Sequence, residues 1–334
     1  MLQSILENRI HLANLPTRIE YLERTSKRYG FNLYIKRDDL TDIAASGNKI
    51  RKLEFLFKDA MNKRADTVLT CGGIQSNHCR ATAAIAAKLG MKSVLILRGK
   101  KEPIYDGNLL LDKLLGADVV YVTPEEYKKV DEVFEVESER LRKRGRKPYI
   151  IPEGGSNEIG FLGYVNAARE MKEQIESMDI HPRYVFTAVG SAGTYAGLFL
   201  GKKLFDMDYE LIGVNVTKDP EEKFVKRVEN IIGRFLGNYK FSQVDFDEEE
   251  IEIIPGAGIG YAMSTDEELT QIVNVAKVEG LILDPVYTVK CFLHMLEYLR
   301  QKAVRDEDVL FFHTGGIYGI YPNKERLTKI IDGK

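Results

Sequence analysis

Residues 187–201 read TAVGSAGTYAGLFLG. The apolar run from Tyr184 to Ala188 leads into a turn with glycine at 190 and 193, and a helical pattern continues from Gly193 to Leu204. Strand, glycine turn and helix in that order make one step of a βαβ unit. The turn also builds a cradle for a phosphate. Backbone N–H groups face outward at the helix start, the helix dipole favours an anion, and Ser191 and Thr194 add hydroxyls around Ala192. The plainer reading is a tight strand-to-helix turn. No lysine follows the glycines, so this is not a Walker loop. Gly190, Gly193 and Gly197 also miss the G-x-G-x-x-G spacing, which disfavours a dinucleotide site.

The same alternation runs outward in both directions. Strands are expected at 67–70, 93–97, 119–122, 149–151, 210–215 and 309–313 besides 184–188. Helices are expected at 52–63, 77–89, 107–115 and 161–177 besides 193–204, and the charged stretch 218–240 is helical as well. Short β-rich runs separated by helices predict an α/β chain with a mostly parallel sheet. The loop PEGGSN, residues 152–157, marks a change between two such blocks. No internal repeat or low-complexity segment interrupts the pattern.

Three further stretches carry candidate chemistry. In AASGNKIRK, residues 44–52, a Ser-Gly-Asn turn precedes a helix with Lys49 near its first turn. A cation is unfavourable at a helix N-terminus, and positive potential there depresses a lysine pKa, as a nucleophilic amine requires. Taken alone, the stretch reads more readily as a surface lysine. In TCGGIQSNHCRATAAIAAKLG, residues 70–90, a strand ends in Gly-Gly, and Gln75, Ser76, Asn77 and His78 follow at the start of a small-residue helix. Ser76 or Asn77 serves as the helix cap, but capping does not require four consecutive polar residues. The C-terminal part holds Tyr261 in GIGYAM, Tyr287 and Thr288 in ILDPVYTVKC, and Thr314 in FFHTGGIYG. A lone tyrosine is more often packed than catalytic.

Composition narrows the function classes. Of the 334 residues 44% are hydrophobic and 29% charged, with a formal net charge of -2. A near-neutral chain gives no electrostatic reason to expect nucleic acid or a membrane surface as partner. The basic cluster 142–146 reads as a solvated face. No apolar run reaches the roughly 18 residues of a spanning helix, and the N-terminus lacks the order of a signal peptide. A cytoplasmic location is the expectation. Cys71, Cys79 and Cys291 fit neither a zinc site nor a CxxC motif. The five histidines, His11, His78, His181, His294 and His313, show no ligand spacing, so no metal is expected. Ser191 lacks the elbow spacing of a hydrolase. The wealth of Glu and Lys hints at a heat-adapted host.

In order along the chain, LPTRIEYLERTS, IKRDDLT, SGNKIRKLEF, GGIQSNH, DPVYT and HTGG resemble the tryptophan-synthase-β-like, fold type II pyridoxal-phosphate (PLP) enzymes. Within them the chain is similar to the D-cysteine desulfhydrase and 1-aminocyclopropane-1-carboxylate (ACC) deaminase family. The resemblance implies two three-layer α/β/α domains with mostly parallel sheets, the large one from residues 1–46 and 154–334 and the small one from 47–153, with the cofactor in the cleft. It implies that Lys49 forms a Schiff base with PLP, that Asn77 bonds the ring hydroxyl, and that Gly190, Ser191, Ala192, Gly193 and Thr194 hold the phosphate. Thr314 would lie near the pyridine nitrogen. Ser76, Asn77 and His78 would surround the substrate carboxylate, with Ser76 also a proton-transfer candidate, and Tyr261 and Tyr287 would line the substrate side. A homodimer acting on a small amino acid is implied as well.

The same resemblance separates two reactions. ACC deaminases have Glu after the tyrosine of DPVY and Leu before the last Gly-Gly; here Thr288 and Thr314 stand at those positions. A carboxylate keeps the pyridine nitrogen protonated and strengthens the electron sink, which ring opening needs more than loss of a thiolate. The expectation is α,β-elimination from D-cysteine, with ACC deamination as the alternative. β-Chloro-D-alanine, D-serine or racemisation are related options. A nucleotide-binding α/β protein without lyase activity, or a PLP binder that has lost catalysis, is the different-class alternative. Val289, where the family commonly has Gly, would crowd the pocket beside Tyr287.

Overall fold

The computed structural model describes residues 1–241 and 244–333. Among the described residues ten strands form two sheets: β1 Ile19–Tyr21, β2 Asn32–Lys36, β3 Thr67–Gly73, β4 Lys92–Arg98, β5 Asp118–Val122, β6 Pro148–Ile150, β7 Pro182–Val189, β8 Glu210–Asn215, β9 Glu252–Pro255 and β10 Asp308–Phe312. The larger sheet runs β1-β2-β10-β7-β8-β9 and the smaller β5-β4-β3-β6. Every pairing is parallel except β1 with β2. The chain is thus α/β with mostly parallel sheets. Its four-stranded sheet comes from residues 67–150.

Each sheet is covered on both faces, as parallel sheets require. In β3 and β4 neighbouring residues point to opposite sides. Leu69, Cys71, Val94 and Ile96 pack under Phe134 and Leu141 of the helix Val130–Lys143, while Val68, Leu95 and Leu97 face the helices Asn77–Lys88 and Gly107–Leu114. On the larger sheet, one face buries the helices Leu162–Met178, Gly193–Leu204 and Glu221–Tyr239. The other buries Asp266–Glu279 and Thr288–Gln301.

The helix Lys49–Asn62 starts three residues earlier than the periodicity predicts. The missed strands are β1, β2 and β9. All are short, two are sheet edges, and β2 carries Lys36, which reads as a surface charge yet is fully buried.

No helix among the described residues is long and apolar enough to cross a membrane.

Candidate active site

The C-terminal ends of the parallel strands of both sheets converge on one cavity of about 580 Å³. This is where a parallel sheet offers strand-end loops and helix N-termini to a ligand. β3 delivers Gly72, Ser76, Asn77 and His78; β4 ends at Arg98; β7 delivers Gly190, Ser191, Ala192 and Thr194; β8 leads to Thr217 and Lys218; β10 leads to Thr314 and Gly315. Lys49, Tyr261 and Tyr287 line it as well.

Lys49 is the first residue of its helix, and burial overrides the surface reading its own motif suggests. Its pKa falls from 10.5 to about 8, mainly because burial penalises the ammonium. Asp284 opposes the shift and Arg80 adds to it. Nζ lies 3.0 Å from Asn48 Oδ1 and 5.8 Å from the centre of the Tyr287 ring. An amine tuned close to neutrality at the floor of a cavity is a nucleophile or a base.

The loop at Gly190 turns sharply into a helix N-terminus, a shape that suits an anion. Ala192 adopts φ 68°, which turns the chain into the helix Gly193–Leu204. The N–H of Gly193 donates to Ser156 Oγ at 3.2 Å, Ser156 and Ser191 share a hydroxyl contact of 2.8 Å, and Asn48 Nδ2 donates to Thr194 Oγ1 at 3.0 Å. A Cβ at Gly193 would collide with Ser156 Oγ and stand 3.0 Å from Lys52 Nζ, so the glycine is needed for close approach. Lys52 is one residue the sequence reading missed. It is buried, donates to Gly154 O and Ser156 Oγ at 3.1 Å each, and has no ion pair among the described residues. Burial first, then Lys49, pushes its pKa well below the usual lysine value. A buried ammonium beside a helix N-terminus fits a phosphate, which would supply the missing countercharge. Its spacing from Lys49, three positions along one helix, was the available signal.

The polar turn after β3 divides its work. Ser76 Oγ caps the helix Asn77–Lys88 by accepting from Cys79 N at 3.2 Å, and a Cβ on Gly72 would sit 2.5 Å from it. Asn77 Oδ1 is engaged by Asn108 Nδ2 at 3.1 Å and Arg80 at 3.4 Å, leaving its amide N–H groups as donors to a ligand. His78 is 2.8 Å from Thr70 Oγ1, and burial followed by Lys49 and Lys52 holds its pKa well below 6.5, so the ring is neutral. Opposite them Tyr261 and Tyr287 meet hydroxyl to hydroxyl at 2.6 Å. Arg98, also missed, stacks its guanidinium 5.0 Å from the Tyr127 ring and 5.9 Å from the Tyr261 ring.

Two expected neighbours, Thr288 and Val289, stand apart. Thr288 is fully buried and lies outside the cavity lining; its hydroxyl donates to Asp284 Oδ1 at 2.9 Å. Val289 and Cys291 pack into the core under the larger sheet, so the valine does not crowd the pocket. Thr314 does line the cavity.

A family model described as pyridoxal-phosphate dependent enzyme matches residues 10–315. A putative 1-aminocyclopropane-1-carboxylate deaminase of Thermotoga maritima is 47% identical over 322 residues, covering 96% of this chain and 99% of the relative. The mitochondrial bifunctional D-cysteine desulfhydrase/1-aminocyclopropane-1-carboxylate deaminase of Arabidopsis thaliana is 39% identical and covers 96% and 81%. A solved structure described as an ACC deaminase homologue superposes with a TM-score of 0.90 at 37% identity over 98% of both chains.

Proposed function

The chain belongs to the fold type II pyridoxal-phosphate enzymes, in the family of the ACC deaminases and D-cysteine desulfhydrases, and on that premise we propose that it eliminates the β-substituent of a D-amino acid. With D-cysteine and water the products are pyruvate, sulfide and ammonia. The cofactor, when bound, supplies the electron sink that makes the Cα proton removable. Lys49 would bond it, Asn77 would donate to it through its free amide N–H groups, Gly190–Thr194 with Lys52 would hold its phosphate, and Thr314 would stand on the side of its ring nitrogen. In the same proposal Ser76, Asn77 and neutral His78 seat the substrate carboxylate. The division into 1–46 with 154–334 and 47–153, the homodimer and the cytoplasmic setting belong to it too.

The proton work follows from the side chains. Lys49, with a pKa near 8, or Ser76, whose oxygen also caps the helix, takes the Cα proton. Burial raises Tyr261 to about 12 and Tyr287 well above 10, so both remain phenols at neutral pH. One hydroxyl donates to the other, which leaves a single phenolic proton to offer a departing thiolate.

What supports elimination over ring opening is position 288. The Thr288 hydroxyl brings no charge and is committed to Asp284, whose carboxylate also accepts the N–H groups of Val286, Tyr287 and Thr288. The acids that line the cavity are Glu153, which accepts the Tyr127 hydroxyl, and Asp219, which pairs with Lys223. A thiolate is a good leaving group and needs little help from a cationic ring, whereas a ring carbon needs more. Purified holoenzyme is incubated with D-cysteine and, separately, with ACC. Sulfide and pyruvate from the first are expected; 2-oxobutanoate from ACC without sulfide from D-cysteine overturns the reading.

A further inference from the structure

Lys290 is the third residue of the helix Thr288–Gln301 and is fully buried. A cation in a first turn opposes the helix dipole, and burying it is costly unless it is paired and hydrogen-bonded. Its surroundings answer both. Nζ donates to the carbonyls of Ala257 at 2.6 Å, Gly260 at 3.1 Å and Met263 at 2.9 Å, which uses all three of its protons. Glu268 Oε1 stands 3.3 Å away and balances the charge. Glu268 is itself fixed, because its other oxygen accepts Thr265 N at 2.8 Å in a helix cap.

The three carbonyls come from one irregular segment that wraps the ammonium. Gly258, Gly260 and Ala262 have φ of 57°, 147° and 57°. A Cβ on Gly258 would lie 2.7 Å from Glu268 Oε1 and 3.2 Å from Lys290 Nζ, so the cage tolerates no side chain there. This segment carries Tyr261. The helix that supplies Lys290 begins directly after Tyr287, which caps it. Lys290 therefore joins the two pieces of chain whose tyrosine hydroxyls meet at 2.6 Å.

We propose that Lys290 is a tethered monovalent cation: its ammonium fills a carbonyl-and-carboxylate cage of the kind a free potassium or ammonium ion occupies, and thereby positions Tyr261 against Tyr287. It is a positioning residue, acting through Tyr261. The inference goes beyond the choice of substrate, so it is assayed as 2-oxo acid formed from whichever of D-cysteine and ACC the wild-type holoenzyme turns over. Lys290→Met, which keeps the side-chain length and removes the charge, is expected to lower kcat on the order of a hundredfold, the effect of misplacing a reacting group by about 1 Å. Lys290→Ala opens the cage, and potassium or ammonium chloride restores most of its activity. Tetramethylammonium chloride at equal ionic strength does not. Wild type is indifferent to exchange of sodium for potassium. Wild-type activity in Lys290→Met overturns the proposal, as does equal response of Lys290→Ala to all the salts. Where Lys290→Ala does not fold, the methionine variant and the wild-type salt exchange decide; a wild type that requires potassium also overturns it.

Discussion

Lys49 and Lys52 sit one helical turn apart, the first half-buried and the second fully buried; burial lowers the pKa of both, and Lys49 lowers that of Lys52 further, yet they differ in what answers their charge. Lys49 has its pKa lowered to about 8, and in the proposed role it works near neutrality. The neutral amine is the reactive form, and its fraction grows as pH rises through about 8. The rate at which apoenzyme captures PLP, followed by the growth of visible absorption, should climb through that pH and level off above it. A rate still rising toward the ordinary lysine value of 10.5 would remove the tuning. Gly193 is the other residue-scale test. Its Cα faces Ser156 and Lys52 with no room for a methyl group. Gly193→Ala should raise the Kd for PLP about tenfold or more in an absorbance titration, since overpacking costs about 1–3 kcal/mol and 1.4 kcal/mol is tenfold.

At the scale of elements, the helix Lys49–Asn62 is pinned from behind by an ion network. Arg51 donates to Asp38 and Glu170, Lys36 pairs with Glu170, and the Tyr164 hydroxyl donates to Asp38 at 2.5 Å. Burial alone would raise the pKa of Asp38 and Glu170, but Arg51 holds both below the ordinary carboxylate range. Their contribution is therefore complete above that range and lost as pH falls through their folded values. Arg51→Met strands the charges and should cost about 3–5 kcal/mol in chemical denaturation, with the shortfall shrinking in acid. This network also shows why part of the fold was hidden. The glycine turns, the apolar runs of the central strands and the body of the Lys49 helix are local signals and were legible. Lys36, Arg51 and Lys52 look like solvated charges along the chain, because their partners lie at positions 38, 154, 156 and 170 and only the folded sheet brings them together. Arg98 stayed hidden for the same reason: the rings of Tyr127 and Tyr261 that flank it come from two distant segments.

Across the whole molecule, the ligand site is where two sheets point their strand ends at each other, so binding energy should tie the sheets together. PLP at a hundredfold excess over Kd adds about 2.7 kcal/mol to a fold that binds it and an unfolded chain that does not, and Tm should rise on loading. Lys52→Met should separate the phosphate's share. Its apoenzyme should melt no lower than wild-type apoenzyme, because a buried unpaired charge is gone, while its gain on loading should be smaller. The family and the cofactor rest on the whole chain's similarity, but the reaction rests on a few residues around one cavity. The most direct test is a time course with wild-type holoenzyme and Lys49→Ala given D-cysteine, measuring sulfide, pyruvate and ammonia together. Equimolar release of all three by wild type, and none by Lys49→Ala, is the predicted result. Wild type that yields none of the three, or Lys49→Ala that yields them at the wild-type rate, would contradict the account.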